Sequence, residues 1–155
     1  MRLMFLCSGN ICRSPMAAEY CRQAAGETGL ADLIVDSAGT LRIEGAPASP
    51  EAIQVMAELG VDLTRHRSKG LRAQDLRRTD LVLAMHHDHL DYLARRHPEG
   101  KDRRLLLRAF ENSPRPDPYP RDLEDPIGQS VAFYREQAEL IRRCVDHLVL
   151  HLRQS

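Results

Sequence analysis

The sequence predicts an α/β fold, a four-stranded parallel sheet with helices on both faces, and three observations predict it. Short apolar runs of strand length alternate with amphipathic stretches along the chain. Two of those stretches open on a Ser-Pro pair, a helix-start signal. Strand and helix in regular alternation build parallel sheets, because each crossover returns the chain to the same edge.

Residues 2–6 form an apolar run that suits a strand buried on both faces. Ser8, Gly9 and Asn10 break it, and Ser14-Pro15 opens an amphipathic helix to about residue 25. A second strand is expected over 33–35, ended by Asp36-Ser37-Ala38-Gly39. Ser49-Pro50 starts a helix carrying Ile53, Val55, Met56 and Leu59, with Gly60 as its stop signal. Residues 81–85 read as the third strand, 88–96 as a helix and 105–107 as the fourth strand. Proline and aspartate crowd residues 112–128, which must be loop. In the last helix Val131, Tyr134, Ala138, Ile141, Val145, Leu148 and Leu152 recur at spacings of three and four, giving one apolar face.

A chain of 155 residues without repeat or linker suits a single domain, 1–155. Its formal net charge is zero, so no global field argues for nucleic acid or a membrane surface. The first apolar run is too short for a signal-peptide core, and no stretch reaches membrane-span length. Four cysteines do not make a secreted disulfide framework, and a cytoplasmic location is expected. Cys21 and Cys144 fall on helices and read as packing residues. His86, His87 and His89 are read as a solvated loop after the third strand, and no metal or cofactor is expected.

The chemistry concentrates in Cys7-Ser8-Gly9-Asn10-Ile11-Cys12-Arg13-Ser14, at the carboxyl end of the first strand, where open α/β sheets bind ligands. Successive N–H groups around such a turn form a concave nest for an anion, and the following helix adds partial positive charge. Arg13 supplies a planar fork for two phosphate oxygens. Cys7, at the foot of the nest, is placed for attack on a bound phosphorus. A zinc pair from Cys7 and Cys12 is disfavoured, since four residues separate them and no second pair follows.

Leu6-Cys7-Ser8-Gly9-Asn10-Ile11-Cys12-Arg13-Ser14-Pro15 resembles the signature loop of the low-molecular-weight protein tyrosine phosphatases. Ser37-Ala38-Gly39-Thr40, Gly60-Val61-Asp62 with His66-Arg67-Ser68, and residues 80–85 resemble further segments of that family, so the likeness spans the chain. The resemblance implies a Rossmann-like low-molecular-weight phosphatase fold, a phosphorylated protein as substrate, and a phosphocysteine on Cys7. It also implies that Arg13 binds phosphate together with Ser8, Gly9, Asn10, Ile11, Cys12 and Ser14. Asn10 then holds a strained turn, steadied by Ser37 and His66, and Ser14 donates to the nucleophile's sulfur. Cys12 resembles the neighbour that can form a reversible disulfide with Cys7.

A proton donor is needed for the leaving group and then a base for water. Two Asp-Pro pairs compete, Asp117-Pro118 and Asp125-Pro126. Asp125 is preferred, because Gly128 and Ser130 supply the turn and cap of the terminal helix, and the family places its acid there. Asp117-Pro118-Tyr119 also resembles the family's aspartate-proline-tyrosine pattern.

Tyrosine-specific members line the pocket with aromatics, whereas this chain has Leu41, Ile43 and Ile127 in those regions. The compact Asp-Pro-x-Gly-x-Ser form resembles the protein arginine phosphatase branch, but that branch carries threonine where this loop has Ile11. Ile11 adjoins the substrate, so phosphotyrosine is expected, with phosphoarginine as the alternative. An arsenate reductase would need resolving cysteines in mid-chain, and none lies between Cys21 and Cys144. A non-catalytic phosphate-binding module is the remaining reading, although the loop lacks nothing essential.

Overall fold

The computed structural model describes residues 1–155. Four strands, β1 (Arg2–Cys7), β2 (Ile34–Gly39), β3 (Leu81–Ala84) and β4 (Arg104–Leu106), form one parallel sheet in the order β2-β1-β3-β4. β1 is therefore central, and the chain leaves it toward β2 on one side and later returns to β3 on the other. That reversal opens a crevice at the carboxyl end of β1, the usual ligand site of an open sheet.

Alternation along β1 explains its uniformly apolar sequence. Leu3, Phe5 and Cys7 join the larger core, while Met4 and Leu6 join the smaller core on the opposite face. The larger core is closed by α1 (Arg13–Glu27), α2 (Pro50–Glu58) and α5 (Val131–Gln154). The smaller receives Leu76 of α3 (Ala73–Arg77) and Leu93 of α4 (His87–Arg96). The apolar stripe of α5 is buried as its spacing predicts, from Tyr134 through Ala138, Ile141, Val145 and Leu148. Ser49 and Ser130 cap α2 and α5, accepting from Ala52 N and Phe133 N. Cys21 and Cys144 are packing residues in the larger core. No helix is long and apolar enough to cross a membrane.

Four expectations are corrected. β2 does not end at Asp36: residues 36–39 continue it, pairing with Met4 through Cys7 of β1. Asp, Ser and Gly are poor strand formers, but here the backbone ladder and the use of Ser37 at the site override propensity. α1 begins at Arg13 and not on a serine cap, since Cys12 precedes it and no side chain caps it; Ser14 spends its hydroxyl elsewhere. Leu107 leaves β4 for a 3₁₀ turn, Leu107–Phe110, and α3 was not expected at all because its five residues bury no full stripe. His89 is not in a solvated loop; it lies inside α4 and is 3% exposed.

Gly39 is where the sheet edge meets the loop after β1. A Cβ there would lie 2.5 Å from Ser8 O and 3.0 Å from Asn10 N, both rigid backbone atoms. Gly39→Ala should therefore cost about 1–3 kcal/mol by overpacking and displace the loop. Chemical denaturation should show the loss, and a variant of wild-type stability would refute the close approach.

Candidate active site

Between β1 and α1 the chain turns through residues 8–12, and Asn10 takes φ 57°. Asparagine is among the few residues with a Cβ that tolerate this left-handed region. Asn10 is fully buried and every polar group on it is used. Its Nδ2 donates to Ser14 Oγ at 2.8 Å and Ser37 Oγ at 3.0 Å, and its Oδ1 accepts from Lys69 N at 3.0 Å. Its carbonyl accepts from His66 Nε2 at 2.6 Å. Burial pushes the His66 pKa below its ordinary value.

The sulfur of Cys7 lies 2.9 Å from Ser14 Oγ and accepts from Asn10 N at 3.3 Å. Because Ser14 Oγ already accepts from the Asn10 amide, its own hydrogen is free for the sulfur. Two donors thus converge on the Cys7 sulfur. Cys12, five residues on, is in a different setting. Its thiol donates to Ser49 Oγ at 3.4 Å and lies 3.2 Å from Tyr134 Oη. Burial pushes this thiol's pKa up, which leaves it protonated. Neither cysteine is in a disulfide.

The backbone N–H groups of Ser8, Gly9, Ile11, Cys12 and Arg13 find no acceptor in the protein. Unpaired amides in a partly buried loop are costly, and such a set is what an anion satisfies. Arg13 is buried, and its Nη1 donates to Leu123 O at 2.8 Å. That bond leaves Nε and Nη2, the edge of the guanidinium that grips two oxygens of an oxyanion. A cavity of about 190 Å³ has Cys7, Cys12 and Arg13 at its base, aliphatic walls from Ile11, Leu41, Ile43 and Ile127, and Asp125 at its rim.

Asp125 Oδ2 lies 3.7 Å from Arg13 Nη2, and its side chain is 46% exposed. Asp117 is elsewhere: its Oδ1 accepts from Tyr119 N at 2.8 Å, and neither residue lines the cavity. Of the two Asp-Pro pairs, only the second reaches the loop between β1 and α1. Its segment is held by Asp122, whose Oδ1 accepts from His87 N and whose backbone carbonyl accepts from Arg108, and by Leu123 N, which donates to Met85 O.

Sequence reasoning missed two contributors. The Leu123 carbonyl carries no side-chain signal, so nothing could have flagged it. His89 donates from α4 to Ser8 Oγ at 2.9 Å, yet in sequence it is one histidine among three beside a turn.

Residues 2–155 match the family model described as low molecular weight phosphotyrosine protein phosphatase. The chain is 34% identical over 151 residues to a probable low molecular weight protein-tyrosine-phosphatase, EpsP, of Ralstonia nicotianae, covering 97% of this chain and 95% of the relative. It is equally 34% identical, over 147 residues, to a protein-arginine-phosphatase of Geobacillus stearothermophilus, covering 95% and 93%. A solved YwlE arginine phosphatase, a cysteine-to-serine mutant with a phosphorylated active-site serine, superposes with a TM-score of 0.91 at 28% identity, covering 100% and 97%. With its four-stranded parallel sheet, its loop of free amides around Cys7 and a family match over nearly its whole length, the chain belongs to the low molecular weight phosphotyrosine protein phosphatases.

Proposed function

We propose that the protein hydrolyses phosphotyrosine, in a protein or as a small aryl phosphate, through a phosphocysteine on Cys7. The observation that carries this reading is the set of five free backbone amides beside a sulfur that two hydrogen bonds address. In the first step the Cys7 thiolate attacks phosphorus while the fork of Arg13 and the loop amides hold the non-bridging oxygens, where charge develops. Asp125 gives its proton to the departing oxygen. In the second step Asp125 takes a proton from water, which attacks the phosphocysteine and frees the thiolate and inorganic phosphate. Arg13 is tied to Leu123 O on one nitrogen, so the clamp is oriented before substrate arrives. The relative with a phosphorylated active-site serine supports a covalent route through this position.

The walls favour an aryl group over a guanidinium. Ile11, Leu41, Ile43 and Ile127 can sandwich a ring, but none can hydrogen-bond the guanidinium of phosphoarginine. Relatives named for arginine match this chain as well as relatives named for tyrosine, so the comparison of substrates is decisive. Peptides bearing phosphotyrosine should be cleaved with the higher kcat/KM, and a preference for phosphoarginine would overturn the assignment.

Cys7→Ser should abolish turnover while retaining phosphate or vanadate binding; residual hydrolysis in it would remove Cys7 from the mechanism. Arg13→Lys should lower turnover by at least about a hundredfold, as when a transition-state donor is lost. A near-normal rate would show that charge alone suffices.

Asp125→Asn should slow a poor leaving group far more than a nitrophenolate, which departs unaided. Asp117→Asn, outside the cavity, should change neither rate. Leaving-group dependence in the Asp117 variant would shift the acid to the first Asp-Pro pair.

A further inference from the structure

Ser8 follows the nucleophile directly and lines the phosphate cavity beside Cys7 and Arg13. Its hydroxyl has one protein partner, His89 Nε2 at 2.9 Å. His89 is 3% exposed, and its other nitrogen, Nδ1, accepts from His86 N at 3.1 Å. A backbone N–H can only donate, so Nδ1 carries no hydrogen, and the ring's hydrogen must be on Nε2. The direction of the contact follows: Nε2–H donates and Ser8 Oγ accepts.

With that lone pair occupied, the single hydroxyl hydrogen of Ser8 must find an acceptor elsewhere. A second cavity adjoins the first, lined by Ser8, Arg13, His86, His89 and the carboxylates of Asp88, Glu124 and Asp125. None of those carboxylates hydrogen-bonds Ser8, so no protein group takes its hydrogen. We propose that His89 is a positioning residue for phosphate. Held by the His86 backbone, it turns the Ser8 hydroxyl so that Ser8 donates to a phosphoryl oxygen in the cavity.

A cationic histidine could not serve, because protonated Nδ1 would lose the His86 bond. Burial, and next the nearby Arg13 charge, push the His89 pKa down to about 4, with His86 acting in the same sense and Asp88 and Asp125 opposing. The ring is thus neutral near pH 7, and the relay costs the loop no additional charge. The proposal rests on the phosphatase reading for its ligand, but it concerns binding and so can be tested without turnover.

Two substitutions separate positioning from mere support. In His89→Asn the shorter amide can still accept from His86 N–H but cannot reach Ser8. In His89→Gln the longer amide places an N–H near the position of Nε2. The midpoint of thermal unfolding is followed against inorganic phosphate concentration, which yields both the stability of each variant and its phosphate dissociation constant. His89→Asn and Ser8→Ala should each weaken phosphate binding roughly tenfold, the scale of one hydrogen bond to a charged group. The double variant should be no worse than either single one. His89→Gln should restore binding to within about threefold of wild type, and kcat/KM for an aryl phosphate should follow the same order.

A variant whose phosphate-free midpoint falls while its phosphate affinity stays normal would overturn the relay, leaving His89 a structural residue. Additive losses in the double variant would overturn it too, as would normal phosphate binding in Ser8→Ala. Wild-type protein that binds phosphate but hydrolyses no aryl phosphate would defeat the hydrolytic reading and leave the relay standing. Normal hydrolysis with variants indifferent to phosphate would do the reverse.

Discussion

Asn10 sits in a left-handed backbone that costs of order 1–2 kcal/mol for a residue with a Cβ, and five hydrogen bonds hold it there. They come from segments far apart in the chain: the loop itself, β2 through Ser37, and the 66–69 stretch. Because Asn10 turns back on itself, its own N–H points at the Cys7 sulfur and its side chain claims one lone pair of Ser14, directing that hydroxyl's hydrogen to the same atom. The amides on either side are left without protein acceptors. A strained residue held by its surroundings is characteristic of functional loops, and here the strain can be traced bond by bond to the surroundings of the Cys7 sulfur.

A second dependency joins two distant parts of the candidate site. Arg13 belongs to the first helix and Asp125 to a loop more than a hundred residues later, yet the Leu123 carbonyl holds the one within reach of the other. Leu123 is itself fixed to the end of β3 through Met85, and Asp122 to the start of α4. The loop that carries Asp125 has no regular structure of its own, so its placement relies on these few anchors. Asp125, half exposed and joined to its loop only by a bond from Ile127 N, keeps side-chain freedom beside the cavity.

The sheet and its flanking helices were legible because their signals are local and repetitive. The all-apolar β1 reads as a strand buried on both faces, and α5 carries its stripe over the whole of its length. At the site, Cys7 and Arg13 were legible for a different reason: their spacing within seven residues around a glycine points to a turn able to cradle an anion, whereas the place of Ser14 beside the sulfur came through family resemblance. Ser37 and His66 were reached only through family resemblance, since the contacts that define them span 27 and 56 residues. β2 was cut short because Asp36 and Ser37 look like turn residues when their partners in β1 and the loop are not considered. His89 was misread for the same reason. Its meaning depends on a serine 81 positions away, and no periodicity marks that distance.

The tie between Arg13 and Leu123 has a consequence for folding. β1 is a central strand that pairs with β2 and β3 on its two sides, and the carbonyl that orients the Arg13 guanidinium lies 110 residues further along the chain. Contacts that span most of a chain close last, after their loop entropy has been met. A refolding chain that has formed only its local helices and turns therefore does not yet hold Arg13 beside Cys7 in its final orientation. That orientation is complete only once the segment around Leu123 has docked against Met85 and Arg13.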